Sequence, residues 1–383
     1  MTQTKMRVPY NYLPQEFSPL NDLGGKIINA ISDEMKVGRW TLGPQVEEFE
    51  REWAKATDGE YAVGVSNGTD AIFLALKAEG IGQGDIVALP AISFVATAGS
   101  IKQAGATPFF MDIGEDYCLD WGDYSAGYWN NFAAVVPVHW GGRLCEFPFD
   151  KFPSDQTFMG RVDIPVIADA AQAVGAFEAA GIGVGRQYET SCFSLHPLKN
   201  INVMGDGGMI VTNNVTIKQK LHYLRNHGLS DRDHQDVYGY NHRLSTLQAI
   251  VGLEVLKHER QYTRHRQWAA SVYRGGLQGI DGVSLPPRPD PIGSHVYHLF
   301  QFECEDRDRL IDFLNEEGVE AKVHYPIPLH LQKANEGRYV KGDFPRAERF
   351  ADTHVTLPLH PFLSNEQVDY TISKVREFYG ESK

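Results

Sequence analysis

From residue 61 onward, short unbroken apolar runs alternate with stretches whose apolar residues are spaced three and four apart. The runs are Tyr61 to Val65, Asp85 to Leu89, Thr107 to Met111, Ala133 to His139, Pro165 to Ala168, Thr190 to Leu195 and Gly208 to Thr212. Each has the length of a strand, and the near-continuous apolar run at Ala133 to His139 suits a strand covered on both faces of a parallel sheet. The spaced stretches predict helices over Ala71 to Glu79, Ser93 to Gln103 and Asn214 to Asn226. Strands alternating with helices predict a doubly wound α/β sheet.

Ahead of this core, Val8 to Pro14 reads as an extended arm, because a proline disfavours helix at the residue before it. Leu20 to Met35 and Val46 to Thr57 are amphipathic, with a turn at Gly43-Pro44 between them. Beyond the core, Leu244 to Leu277 is helical in pattern and links two lobes, and the proline-rich Leu285 to Pro291 marks a boundary. Strands at His295 to Glu303 and Val319 to Val323, and helices at Asp306 to Glu317, Arg346 to Thr353 and Asn365 to Tyr379, make a smaller α+β unit. The expected division is a large domain over 1–255, including the arm, and a small C-terminal domain over 256–383.

At 383 residues the chain is long enough for that division. A formal charge of −13 disfavours nucleic acid or an anionic membrane as partner. No apolar run approaches the length of a membrane span, and the four cysteines are scattered without a Cys-x-x-Cys pair. These features predict a cytoplasmic protein with reduced thiols. An anionic substrate would have to be met by local cations and backbone N–H groups.

The candidate chemistry sits at the ends of the apolar runs. Asp169 closes one of them, where a carboxylate is costly to bury unpaired. It is either a helix cap or ion-pair partner, or a counter-charge for a cationic ring nitrogen such as that of pyridoxal phosphate. Gln172, three residues on, faces the same way if the segment turns helical. Lys199 follows the run that ends in Ser194. Alone it reads as a surface charge; buried, with a depressed pKa, it would form a Schiff base with an aldehyde. Asn67-Gly68-Thr69 opens a helix after a strand, which makes either a plain cap or an anion site. Ser194 offers a second hydroxyl, and Phe94 either fills core or stacks on a planar ring. The dinucleotide glycine fingerprint, the Walker loop and the Gly-x-Ser-x-Gly elbow are all absent. His324 and His330 lack the spacing and the acidic neighbour of a metal pair, so no metal site is expected.

Taken together these stretches resemble the DegT/DnrJ/EryC1/StrS family of pyridoxal-phosphate-dependent sugar aminotransferases. The likeness runs through Gly38 to Phe49, Asn67 to Ala71, Gly80 to Asp85, Ser93 to Ala98, Asp169 to Ala173, Phe193 to Lys199, Gly205 to Gly208, Arg225 to Gly228, Gly239 to Leu244, His295 to Phe300 and His324 to His330. It implies a fold type I aminotransferase: a mostly parallel, mixed sheet flanked by helices, with a smaller C-terminal α+β domain. It implies pyridoxal 5′-phosphate as cofactor and Lys199 as the Schiff-base lysine and proton shuttle. Asp169 would pair with the ring nitrogen and Gln172 with the phenolic oxygen. Gly68, Thr69, Asp70 and Ser194 would surround the phosphate, with Phe94 on the ring. Asn241 would reach the phosphate of a neighbouring subunit, which implies a homodimer with a shared active site, and Arg243 would shape that interface.

His324 and Tyr325 would lie near the sugar, and Arg225, Arg243 and Lys322 are candidates for substrate anions. The implied substrates are glutamate and a keto sugar, nucleotide-linked, with a lean to a 3-keto position. Amination of a 4-keto sugar or a keto-cyclitol, or a regulator that binds cofactor without turnover, are the alternatives. Two features depart from relatives. Pro148, Pro153 and Gly160 argue against a regular helix over Glu146 to Ile164, and Trp140 is bulky where it would meet the substrate mouth. Ser230 to Tyr238 reads as a solvated charge run or a sugar-binding loop.

Overall fold

The computed structural model describes residues 5–122, 126–129, 131–145, 164–289 and 291–380. Its centre is a sheet of strands β1 (Tyr61–Val65), β2 (Ile86–Pro90), β3 (Thr107–Met111), β4 (Ala134–Val135), β5 (Ile167–Asp169), β6 (Thr190–Ser194) and β7 (Gly208–Thr212). Two ladders, β3-β2-β4 and β5-β6-β7-β1, are joined by parallel bridges from Val135 to Val166 and from Val138 to Asp169. Only β7 runs against its neighbours.

The ladder is short at β4, where seven residues of strand were expected. Pro137 has no N–H to donate, and its carbonyl instead accepts from Asp169 N at 2.8 Å. The chain then leaves the sheet through Gly141 and Gly142, both at positive φ. A Cβ on Gly142 would stand 2.7 Å from the Gln172 carbonyl oxygen, so this turn needs glycine. The segment 146–163, with its expected lack of a regular helix, lies outside the described residues.

Helices cover both faces. The helix Gly68–Ala78 is buried over most of its length and packs on β6 and β7, between the sheet and the helices Val95–Ala104 and Val215–Arg225. On the other face, Pro44–Thr57 sets Val46, Phe49 and Trp53 against the sheet, with Trp53 edge-on to Phe193 of β6. Gly252 lets the next helix approach this face closely, since a Cβ there would stand 2.4 Å from the Phe49 ring.

The expected long helix Leu244 to Leu277 is two helices, Thr246–Leu256 and Glu259–Leu277. The break falls at Lys257-His258, where His258 N bonds Val255 O, a three-residue turn in place of a four-residue one. Glu259–Leu277 starts on the central core at Tyr262. It ends in a separate apolar cluster with Phe300, Phe302, Leu310, Val355, Val368 and Val375. That cluster lies on an antiparallel sheet of β8 (Val283–Ser284), β9 (Phe300–Cys304) and β10 (His354–Leu357). The strand expected from His295 begins only at Phe300. Residues before it turn, with Tyr297 at positive φ and stacked on His295. Val319 to Val323 makes single bridges to Val8 and Thr356 rather than a strand. Val8 itself is fully buried in the C-terminal cluster, so the arm is tied to the end of the chain.

Candidate active site

The parallel strands all end on one side of the sheet, where open α/β sheets form their crevices. The carboxyl ends of β1, β2, β4, β5 and β6 deliver Asn67 to Thr69, Ser93-Phe94, His139-Trp140, Asp169 to Gln172 and Ser194 to Lys199 to a single cavity of about 610 Å³. The C-terminal part closes it with His298, Lys322, His324 and Tyr325, and the arm adds Tyr10.

Asp169 is the last residue of β5 and almost wholly buried. Burial pushes its carboxyl up, opposed by a hydrogen bond from Thr97 Oγ1 to Oδ2 (2.7 Å), the Ala171 N–H on Oδ1 (3.2 Å) and the charge of Lys199. Thr97 is itself held by Ser93 Oγ at 2.6 Å. Lys199 is pulled the other way: burial lowers its pKa to about 8, against the pull of Asp169 upward. An amine poised near neutrality and an acid held beside it share one enclosed space.

The segment after Asp169 forms a tight turn, closed by Ala173 N on Ala170 O at 3.0 Å, where a helix was the condition for bringing Gln172 round. Gln172 nonetheless faces the cavity. Its Oε1 accepts from Gly141 N at 2.7 Å, which leaves the amide Nε2 to donate inward.

The helix after β1 starts at Gly68, earlier than the expected Ala71, with Asn67 as its cap accepting from Asp70 N at 2.8 Å. Gly68 lies so close to β6 that a Cβ would sit 2.7 Å from Ser194 Cβ. The helix N-terminus and the Thr69 and Ser194 hydroxyls thus make a small cradle that a side chain at Gly68 would fill, fit for a phosphate. Asp70 lines the cavity, but its Oδ2 is taken by Ser66 Oγ, Asn67 Nδ2 and His242 Nδ1, the last at 3.0 Å. It braces the cradle rather than facing an anion. Phe94 is half exposed at the mouth, tilted on Tyr325 with ring centroids 5.5 Å apart.

Other sites named from sequence are not brought to this cavity. Arg225, a candidate for substrate anions, is buried beneath β1, ion-paired with Glu50 and donating to the Gly64 carbonyl at 2.8 Å. Arg243 bonds Asn226 Oδ1 at 3.1 Å and bridges Val65, also outside the cavity. Asn241 is exposed on the same loop, away from its own chain's cavity. His330 is buried on Glu348 at 3.0 Å. Trp140 does not stand at the mouth: it is buried in the wall, with Nε1 donating to Gln301 at 2.9 Å.

Sequence reading missed several residues. Thr97 lies one helical turn from Ser93, a spacing that says nothing of β5. His139 is fully buried; its Nδ1 accepts from Cys145 N at 2.9 Å, so its proton sits on Nε2, which has no partner among the described residues. Burial drives its pKa to about 3. His298 reaches Asn200 Oδ1 at 3.0 Å, bracing the residue after Lys199. Tyr12 donates its hydroxyl to the Lys199 carbonyl at 3.1 Å. Only the order of motifs hinted that these segments meet.

The sheet and its lysine–acid cavity define an α/β enzyme of the aminotransferase kind. The chain belongs to the DegT/DnrJ/EryC1/StrS aminotransferase family, whose pattern matches residues 21–376. It is 36% identical to a UDP-N-acetyl-3-dehydro-α-D-glucosamine 3-aminotransferase of Acidithiobacillus ferrooxidans, over 98% of this chain and 99% of the other. It is 34% identical to a pleiotropic regulatory protein of Geobacillus stearothermophilus, again over 98% and 99%. The crystal structure of Streptomyces venezuelae DesV with a ketimine intermediate superposes with a TM-score of 0.90, at 33% identity, covering 98% of this chain and 100% of the other.

Proposed function

We propose that this aminotransferase moves an amino group from glutamate to a nucleotide-linked keto sugar, with C3 as the favoured position. The observation that carries the reading is that Lys199 and Asp169 line one cavity and each feels the other's charge there, beside the Gly68 cradle. The kinship to a 3-dehydro-sugar aminotransferase supports the choice of acceptor. The cofactor is pyridoxal 5′-phosphate; when bound it supplies an electron sink through its protonated ring nitrogen.

The residues divide the work. Asp169, held in place by Thr97, would set its carboxylate against the ring nitrogen. Gln172 would donate toward the phenolic oxygen. The N-terminus of the helix at Gly68, with Thr69 and Ser194, would hold the phosphate, and Asn241 of a second copy of the chain would complete that cradle across a homodimer interface. Phe94 would cover the ring. Lys199, its pKa lowered to about 8 by burial, would move the proton at the substrate carbon as general base and general acid. His324 and Tyr325 line the sugar side; burial holds the imidazole near 3 and the phenol near 12, so both meet hydroxyls as neutral groups.

The test is the absorbance of purified protein, expected to be yellow and bleached by glutamate, together with a keto-sugar panel and nitrogen-labelled glutamate, expected to yield a labelled amino sugar. Lys199→Ala should lose both responses. A colourless chain that takes up no pyridoxal phosphate overturns the reading. A coloured one that no amino donor bleaches turns it toward a regulator.

A further inference from the structure

The cavity is unevenly charged. Among the described residues that line it, lysines stand at 199 and 322, and no arginine does. Four histidines also line it: His139, His196, His298 and His324. Burial is the first cause holding each below the ordinary imidazole range. Neutral imidazoles suit hydroxyls and do not balance an anion. Lys199 is engaged by the chemistry. Lys322 is the remaining cation.

Lys322 lines the cavity and stays exposed, with its backbone held and its ammonium seated on one ring. Lys322 exchanges backbone hydrogen bonds with Thr356, at 3.0 and 2.9 Å. Its Nζ lies 4.3 Å from the ring centroid of Tyr10, a contact that seats an ammonium without neutralising it. Tyr10 is in turn stacked on His324 at 5.6 Å, and its N–H donates to Glu320 Oε2 at 2.9 Å. Glu320 feels the charge of Lys322, but its carboxylate is occupied by that N–H and by Arg7 at 3.1 Å. Lys322 makes no ion pair among the described residues.

Both substrates of a transamination must bring their reacting carbon to the same cofactor atom, one after the other. The amino donor brings carboxylates, and a nucleotide-linked sugar brings phosphates. We propose that Lys322, seated on Tyr10 of the N-terminal arm, is a shared anion site that takes a carboxylate of the amino donor in one half-reaction and a phosphate oxygen of the keto sugar in the other. The inference rests on the function proposed above and adds a role for the arm, which no motif assigned.

The test is equilibrium calorimetry on the cofactor-loaded full chain, with 2-oxoglutarate and uridine diphosphate as separate probes. Lys322→Met weakens both by about tenfold, the worth of one charge-assisted contact. Lys322→Arg keeps both within about threefold, since it restores the charge. Tyr10→Leu, which removes the seat and keeps the lysine, weakens both severalfold. An unchanged cofactor absorbance spectrum certifies the fold of each variant. Loss of one probe alone, loss of neither, or a wild-type chain that does not bind uridine diphosphate overturns the shared site. Failure of the wild-type chain to aminate any keto sugar would instead sink the proposed function, and it is read in a separate assay.

Discussion

Thr97→Val tests whether Asp169 is set by a neighbour to which the sequence assigned no role. The substitution keeps the shape and removes a hydroxyl, so the helix Val95–Ala104 has no reason to move. Asp169 then loses the 2.7 Å hydrogen bond on Oδ2 and keeps the 3.2 Å Ala171 N–H on Oδ1. A hydrogen bond to a buried carboxylate is worth roughly 2 kcal/mol, about one and a half pKa units. Burial already holds this carboxyl above its ordinary value, and Thr97 is the first of the influences pulling it down. Removing it raises the pKa further, so the ionised form that pairs with a ring nitrogen becomes scarcer as pH falls. The acid limb of the kcat/KM–pH profile moves up by about one and a half units, and cofactor Kd at neutral pH rises about tenfold or more. Thr97→Ser reverses most of both. A folded Thr97→Val protein whose acid limb and cofactor Kd stay at wild-type values would falsify the argument.

Three further outcomes follow from the geometry. Burial lowers Lys199 to about 8 while Asp169 pulls it up; capture of pyridoxal phosphate by cofactor-free protein therefore climbs with pH and levels above about 8, and Asp169→Asn shifts the midpoint down, as stopped-flow absorbance would record. Gly68→Ala places a methyl 2.7 Å from Ser194 Cβ and 3.1 Å from its Cα, so the helix and β6 must part at the proposed phosphate cradle; cofactor Kd rises at least about tenfold, the cofactor-free chain also unfolds at a lower temperature, and an unaltered Kd counts against the cradle. Arg225→Met leaves Glu50 buried with only the Gly64 N–H at 2.8 Å, and costs about 3 kcal/mol in denaturant unfolding. Because Arg225 is remote from the cavity, KM for either substrate stays near wild type, and a selective rise in KM would return it to the substrate site.

The sequence by itself determined the order of strands and helices, because unbroken apolar runs and amphipathic stretches differ in period. It also marked Asp169, Lys199, Gln172, Gly68, Thr69 and Ser194, each placed at the end of an apolar run where a parallel sheet opens its crevice. It misplaced Arg225, since a buried arginine paired with Glu50 and a substrate-binding arginine look alike in one dimension. It was silent on Thr97 and His298, whose partners lie far along the chain, and on His139, whose full burial no local pattern reveals. Only the tertiary structure decided that Asp169 and Lys199 perturb each other, because burial and proximity, not residue type, set a pKa. Only the tertiary structure brought the N-terminal arm to the site. Val8 pairs with Val319, Tyr12 reaches the Lys199 carbonyl and Tyr10 seats Lys322. Contacts between the first dozen residues and positions hundreds of residues later follow from tertiary packing of the two ends of the chain, which no local pattern encodes.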